Sequence, residues 1–328
     1  MNFVVIGNSS TSATYDIAEE GEIGKALQKV GHNVWFIDRD NWREIEAITE
    51  QIDYVFAPRY LKIEASDIKK IKNILKCPYI LWQPDHCDIE NPKCPFRDMA
   101  KECDIWLGRD LEGIDWFKEN GVEYYYWNFD VACDIFKKEY DERVAMTHPQ
   151  TSFPIPTPVN FIGNWVHNPF RMNFLYELQQ KISDDLHITT LTIREYATGQ
   201  MSGKTTGRKL KNLHNPIFGE GFNKLVGITK INLSLDWIIS EGYWSPRTAR
   251  IMCAGGFALV HYVKGMEKTF KDYVVYYNSV EDCVEKIKYY LEHDDEREVI
   301  ANRGYEYANK YLRPKNRVKE LLIYLQNR

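Results

Sequence analysis

SEGYWSPRTARIMCAGGFALVHY, Ser240 to Tyr262, is the stretch whose reading decides the fold. Ser245 is a good N-cap, Pro246 suits a first helical position, and Gly255-Gly256 stops a helix before the apolar run FALVHY. A short helix feeding a buried strand is half of a βαβ unit, so the stretch predicts a parallel sheet with helices on its faces. Arg247 and Arg250 then lie on one face in the first turns of that helix. Free amides and the helix dipole attract anions there, and two guanidinium groups suit a diphosphate. As good helix formers, the same arginines would also be at home on a solvated surface.

Outward from this stretch the same rhythm runs both ways. NFVVIGN, NVWFID, YVFAPR, YILWQPD, IWLGR and VEYYYWNF are β-rich runs separated by amphipathic stretches such as ASDIKKIKNILKC. THPQTSFPIPTP, residues 147–158, interrupts them with four prolines and reads as a linker. VNFIGN, HITTLTI, KINLSL, GFALVHY and VVYYNS then resume the alternation. The expected architecture is α/β, with two Rossmann-like domains over 1–150 and 151–328 facing a cleft. The tail beyond Arg313-Pro314 is helical, and Val318, Leu321, Leu322 and Leu325 form an apolar stripe that must pack back on the domains.

A net charge of −5 over 328 residues argues against a broad nucleic-acid or anionic-membrane surface. MNFVVIGN enters a strand with no basic leader, and no apolar run is long enough for a bilayer, so the expected location is cytoplasmic. The seven cysteines are scattered, which favours reduced thiols. His86, Cys87, Cys94 and Cys103 are the tightest potential zinc set, but they lack a Cys-x-x-Cys turn, and no metal site is expected.

In open α/β sheets, ligands bind beyond the carboxyl ends of the strands. After the first strand, GNSSTSATYD offers hydroxyls and amides before a helix, as a phosphate seat or a simple cap, and no Walker lysine follows. Asp85 and His86 follow YILWQPD, where a general base or an orienting pair would belong. Gly163, Asn164 and His167 follow VNFI, Arg171 stands in the next helix's first turn, and Arg194 follows another strand. KTTGRKLKNLH, Lys204 to His214, is the most basic run, a solvated loop or a contact for an anionic acceptor.

SEGYWSPRTARIMCAGGFALVHYVKGMEKTF, with VNFIGNWVHNPFRMNFLYEL, GEGFNKLVGITKINLSLD and YILWQPDH, resembles the CgeB-like (spore maturation protein) glycosyltransferases of the GT-B fold. The resemblance implies transfer of a sugar from a nucleoside-diphosphate sugar, most commonly a UDP-sugar. The donor is a co-substrate held by the C-terminal domain, with no tightly bound cofactor. It further implies a retaining, metal-independent enzyme in which arginine and helix amides neutralise the leaving diphosphate. Glu241 resembles the family's sugar-contacting glutamate by position. The family's second acid falls on Arg250, nine residues after Glu241 where the wider family has eight.

The expected site therefore comprises Asp85, His86, Glu241 and Arg247 for chemistry. Gly163, Asn164, Arg171, Arg194, Asn232, Tyr243, Arg247, Thr248 and Arg250 serve the donor. The acceptor is a glycan, a protein, a small molecule or, given the basic run, a modified base in DNA. A non-catalytic nucleotide- or glycan-binding module is the alternative that the replaced acid suggests.

Overall fold

Strands that read as near-continuous apolar runs build two parallel sheets, because a parallel strand is covered by helices on both faces. The computed structural model describes residues 1–7, 19–59, 63–83, 85–128, 134–139, 156–164, 168–190, 210–215, 217, 219–236 and 238–328. Two compact units emerge: Met1–Cys133 with Ser240–Trp244 and Arg313–Arg328, and Asp134–Ile239 with Ser245–Leu312.

The first unit runs β1 (Asn2–Ile6), α1 (Glu19–Lys29), β2 (Asn33–Ile37), β3 (Tyr54–Pro58), α2 (Ala65–Leu75), β4 (Tyr79–Trp82), α3 (Arg97–Glu102), β5 (Ile105–Gly108), α4 (Ile114–Glu119) and β6 (Glu123–Tyr126). Its strands pair in the order β2-β1-β3-β4-β5-β6, all parallel. Phe3, Val4, Val5 and Ile6 are all buried, so β1 is covered on both faces. Val4, Ile6, Val55 and Leu81 pack with Ile68 and Ile71 of α2 on one face, and Phe56, Trp82 and Trp127 cluster elsewhere in the unit.

The second unit runs β7 (Thr157–Ile162), α5 (Pro169–Ile182), β8 (Leu186–Thr189), β9 (Leu213–His214), α6 (Glu220–Ile228), β10 (Thr229–Ser234), α7 (Pro246–Cys253), β11 (Ala258–His261), α8 (Glu267–Phe270), β12 (Val275–Tyr277), α9 (Val280–Glu292) and α10 (Asp294–Tyr311). The strand order is β12-β11-β10-β7-β8-β9. The first and fourth strands of this unit are therefore neighbours, and strand order reverses between them. In a doubly wound sheet that reversal is the switch point where ligands bind.

The last helix, α11 (Pro314–Gln326), belongs to the first unit, where α1 packs against it. Its predicted stripe of Val318, Leu321, Leu322 and Leu325 is buried. Trp127 Nε1 donates to the Arg317 carbonyl at 3.2 Å, Arg317 returns a bond to the Asn128 carbonyl at 3.0 Å, and Tyr324 stacks on Tyr125.

Several features differ from the sequence reading: Thr157 and Pro158, read as linker, open β7, which pairs with β8 and β10. Residues 134–139 join the second unit, because Phe136 packs on Phe222 and Asn223 Nδ2 donates to the Ile135 carbonyl at 2.7 Å. The end of the basic run is not loop: Leu213–His214 forms edge strand β9, paired with β8. Its two residues are too few for periodicity to reveal. Residues 204–209 of that run lie outside the described residues, as do the hydroxyl loop 8–18 and linker positions 147–155.

Candidate active site

In the second unit the switch point gathers two guanidinium groups. Asn168 caps α5 by accepting the Arg171 N–H at 2.8 Å, with Pro169 opening the helix. Arg171 is buried and donates through Nε to the Leu235 carbonyl at 2.8 Å and through Nη1 to the Asn164 carbonyl at 2.9 Å. Ser245 caps α7 by accepting the Arg247 N–H, and Pro246 opens that helix as the sequence predicts. Arg247 donates through Nε to the Ile162 carbonyl at 2.6 Å and through Nη1 to the same Leu235 carbonyl at 3.1 Å. Both guanidiniums lie over the Phe161 ring, at 5.9 and 4.8 Å. Gly163 lies beneath Arg247: a Cβ there would sit 2.4 Å from Nη2, and its φ of +156° suits glycine.

Asp236, which sequence reasoning passed over, follows Leu235 and is fully buried. Burial pushes the Tyr277 hydroxyl well up; Asp236 adds to that, while Arg247 and Arg171 oppose it. One carboxylate and two guanidiniums thus act on the same buried phenol, and Cys283 adds to the rise. The available signal was a lone acid directly after an apolar strand. His261, at the end of β11, was also missed. Its ring packs beside Phe170 and Tyr277, and burial lowers its pKa, so it is neutral near pH 7.

Other donor-side candidates fall elsewhere. Thr248 is buried and shares a 2.8 Å hydroxyl contact with Ser234, which fastens α7 to β10. Asn232 is buried within β10, its Nδ2 directed to the Val226 carbonyl and close to Gly256. Arg250 lies over the Phe136 ring at 5.3 Å, so the two arginines of α7 serve different surroundings. Arg194 and His167 lie outside the described residues.

The first unit holds a second cluster, at the carboxyl ends of β4 and β5. His86 Nδ1 is 2.9 Å from Asp110 Oδ2, and its Nε2 is 3.9 Å from Glu112. Asp110 Oδ1 accepts the Glu112 N–H, and the Tyr124 hydroxyl donates to the Asp110 carbonyl. The hydrogen bond to Asp110 raises the His86 pKa; burial opposes the rise, and charges on Asp110, Glu112 and Asp88 add to it. Asp85 is exposed, and its carbonyl accepts from Gln83. The segment 240–244 completes this cluster. Leu111 N donates to the Glu241 carbonyl at 2.8 Å, Tyr126 to the Gly242 carbonyl at 2.7 Å, and Arg109 to the Trp244 carbonyl at 3.1 Å. Arg109 also lies over the Tyr243 ring. Glu241 and Tyr243 therefore stand in the first unit with His86, not in the second with Arg247.

Residues 177–323 match the family model described as glycosyl transferase-like. The two six-stranded parallel sheets make the GT-B fold of solved glycosyltransferases. Sucrose-phosphate synthase from Thermosynechococcus elongatus superposes with a TM-score of 0.68 at 8% identity, over 99% of this chain and 98% of that one. Anabaena HepE, solved with UDP-glucose, gives 0.64 at 8% identity over 100% of both chains. An α-glucosyltransferase in complex with UDP and a 13-mer DNA containing an HMU base gives 0.65 at 10% identity over 98% of both. No curated protein sequence matches the chain. Among the described residues, no helix is long and apolar enough to cross a membrane, and no group of three or more His, Cys, Asp or Glu is arranged to hold a metal ion.

Proposed function

We propose that the chain transfers a sugar from a UDP-sugar to an acceptor hydroxyl, as a member of the CgeB-like group. The observation that carries this is the pair of guanidiniums, Arg171 and Arg247, converging at the switch point of the second unit beside the capped start of α7, in a chain whose residues 177–323 match the glycosyl transferase-like model. Breaking the bond between the sugar's anomeric carbon and the diphosphate oxygen leaves charge on that oxygen. A pre-set guanidinium and helix amides stabilise it without reorganising. Arg247 takes that role, Arg171 holds the Leu235 and Asn164 carbonyls in place, and Gly163 lets the diphosphate approach. His86 and Glu241, on the first unit, serve the acceptor and the sugar. Free thiols at Cys77, Cys87, Cys94, Cys103, Cys253 and Cys283 fit a cytoplasmic enzyme.

A panel of nucleotide sugars, assayed for hydrolysis and for transfer, tests the reading. UDP release from one UDP-sugar, insensitive to chelator, is expected; nucleotide binding without turnover on any acceptor would favour a non-catalytic module instead. DNA containing an HMU base belongs in the acceptor panel, because one structural neighbour was solved with such DNA. Proton NMR of the first product reads whether the anomeric configuration is retained, as the family resemblance implies.

Gly163→Ala gives a more local check. The added Cβ would collide with Arg247 Nη2 at 2.4 Å and Cζ at 3.1 Å, so the guanidinium must move. A displacement of about 1 Å at a positioning group costs on the order of 10²-fold in rate. UDP affinity by calorimetry and turnover should both fall; unchanged values for both would place the diphosphate away from Arg247.

A further inference from the structure

The loop after β4, Asp85 to Phe96, folds back so that two thiols meet. Cys87 Sγ and Cys94 Sγ are 3.2 Å apart. Backbone turns impose this approach: Ile89 N donates to the Cys87 carbonyl at 2.8 Å, Asn91 N to the Asp88 carbonyl at 3.3 Å, and Cys94 N to the Asn91 carbonyl at 2.9 Å. Ile89, buried at the centre, anchors the loop, and both thiols pack against the first unit's core while remaining partly exposed. Neither thiol has a role in the proposed transfer. His86, which does, is the residue next to Cys87.

We propose that Cys87 and Cys94 form a redox-convertible dithiol, which a low-molecular-weight disulfide oxidises to an intramolecular disulfide closing the loop behind His86. A disulfide needs its sulfurs about 2.05 Å apart, so the pair must close by roughly 1 Å, within reach of side-chain rotation. Burial and the hydrogen bond to Cys94 raise the Cys87 pKa, and in the proposed order Cys94 attacks first. The Cys94 thiolate attacks one sulfur of the oxidant, and the other sulfur leaves and takes up a proton. Cys87 then gives up its proton and attacks the Cys94 sulfur, expelling the second thiol. The protein loses two electrons and two protons, and the oxidant's S–S bond becomes two thiols. The inference rests on thiol geometry and stands apart from the glycosyl-transfer reading.

The test incubates the folded full chain with oxidised glutathione, alkylates the remaining thiols, digests and maps the peptides by mass. A Cys87–Cys94 cross-link lacking two hydrogens is expected, with alkylation of both residues down by about tenfold or more and recovered with dithiothreitol. Buried Cys103, Cys253 and Cys283 stay unchanged. In Cys87→Ser, reaction is expected to stop at a glutathione adduct on Cys94. A wild-type chain in which Cys94 carries glutathione without the cross-link, in which neither thiol reacts, or in which either thiol pairs with another cysteine overturns the proposal.

Discussion

Arg247→Ala is expected to lower transfer from the UDP-sugar by about 10² to 10³-fold in kcat, the effect of deleting one pre-set donor to a developing anion. The loss should appear more in kcat than in KM for the donor, because charge on the bridging oxygen grows only as the sugar leaves. Arg247 also has a structural duty, since its Nε and Nη1 hold the Ile162 and Leu235 carbonyls. Each hydrogen bond to a charged group contributes about 1.5–3 kcal/mol, so thermal unfolding of the variant must be followed beside its kinetics. Arg247→Lys separates the two duties: it keeps the charge, forfeits the fork that spans two carbonyls, and should recover only part of the rate. Undiminished turnover in a folded Arg247→Ala protein would remove the leaving-group role.

Why Arg247 was legible and its surroundings were not follows from the range of the interactions. Ser245, Pro246 and Gly255-Gly256 are local signals, each acting within a turn of α7, and the helix begins and ends where they place it. The strands were equally legible because burial on both faces writes unbroken apolar runs such as FVVI and YILW. Contacts made across sheet neighbours leave no such trace. The pairing of His86 with Asp110 exists because β4 lies beside β5, and the joining of Arg171 to Arg247 through Leu235 exists because β7 lies beside β10. Asn232 was placed among the donor residues, and strand alternation turns it from the apolar cluster of Ile231 and Leu233 toward Val226. The most consequential illegible feature is the return of Ser240–Trp244 to the first unit. It is held there by backbone carbonyls accepting from Leu111, Tyr126 and Arg109, and any sequence supplies carbonyls.

The His86–Asp110 pair makes the second large prediction, one in which activity and stability move oppositely with pH. If His86 accepts a hydrogen bond from the acceptor hydroxyl, it must be neutral, so transfer should rise with pH through a His86 pKa that Asp110 holds above the ordinary 6.5. The stability contribution runs the other way. A histidine whose folded pKa is raised contributes stability that is fully present below the unfolded value near 6.5 and is lost as pH rises through the folded value. Thermal unfolding at about pH 5.5 and about pH 8.5 brackets that window. His86→Ala is expected to lower kcat by about 10² to 10⁴-fold and to erase the acid limb of the profile. Asp110→Asn removes the leading cause of the raised pKa and leaves burial to lower it, so the acid limb should move to lower pH and the stability gained toward acid should shrink with it. A merely structural Asp110 would lower stability at every pH and leave the limb where it was. An unmoved limb in a folded Asp110→Asn protein, or full turnover in His86→Ala, would take His86 out of the reaction and leave the pair as a brace between β4 and β5.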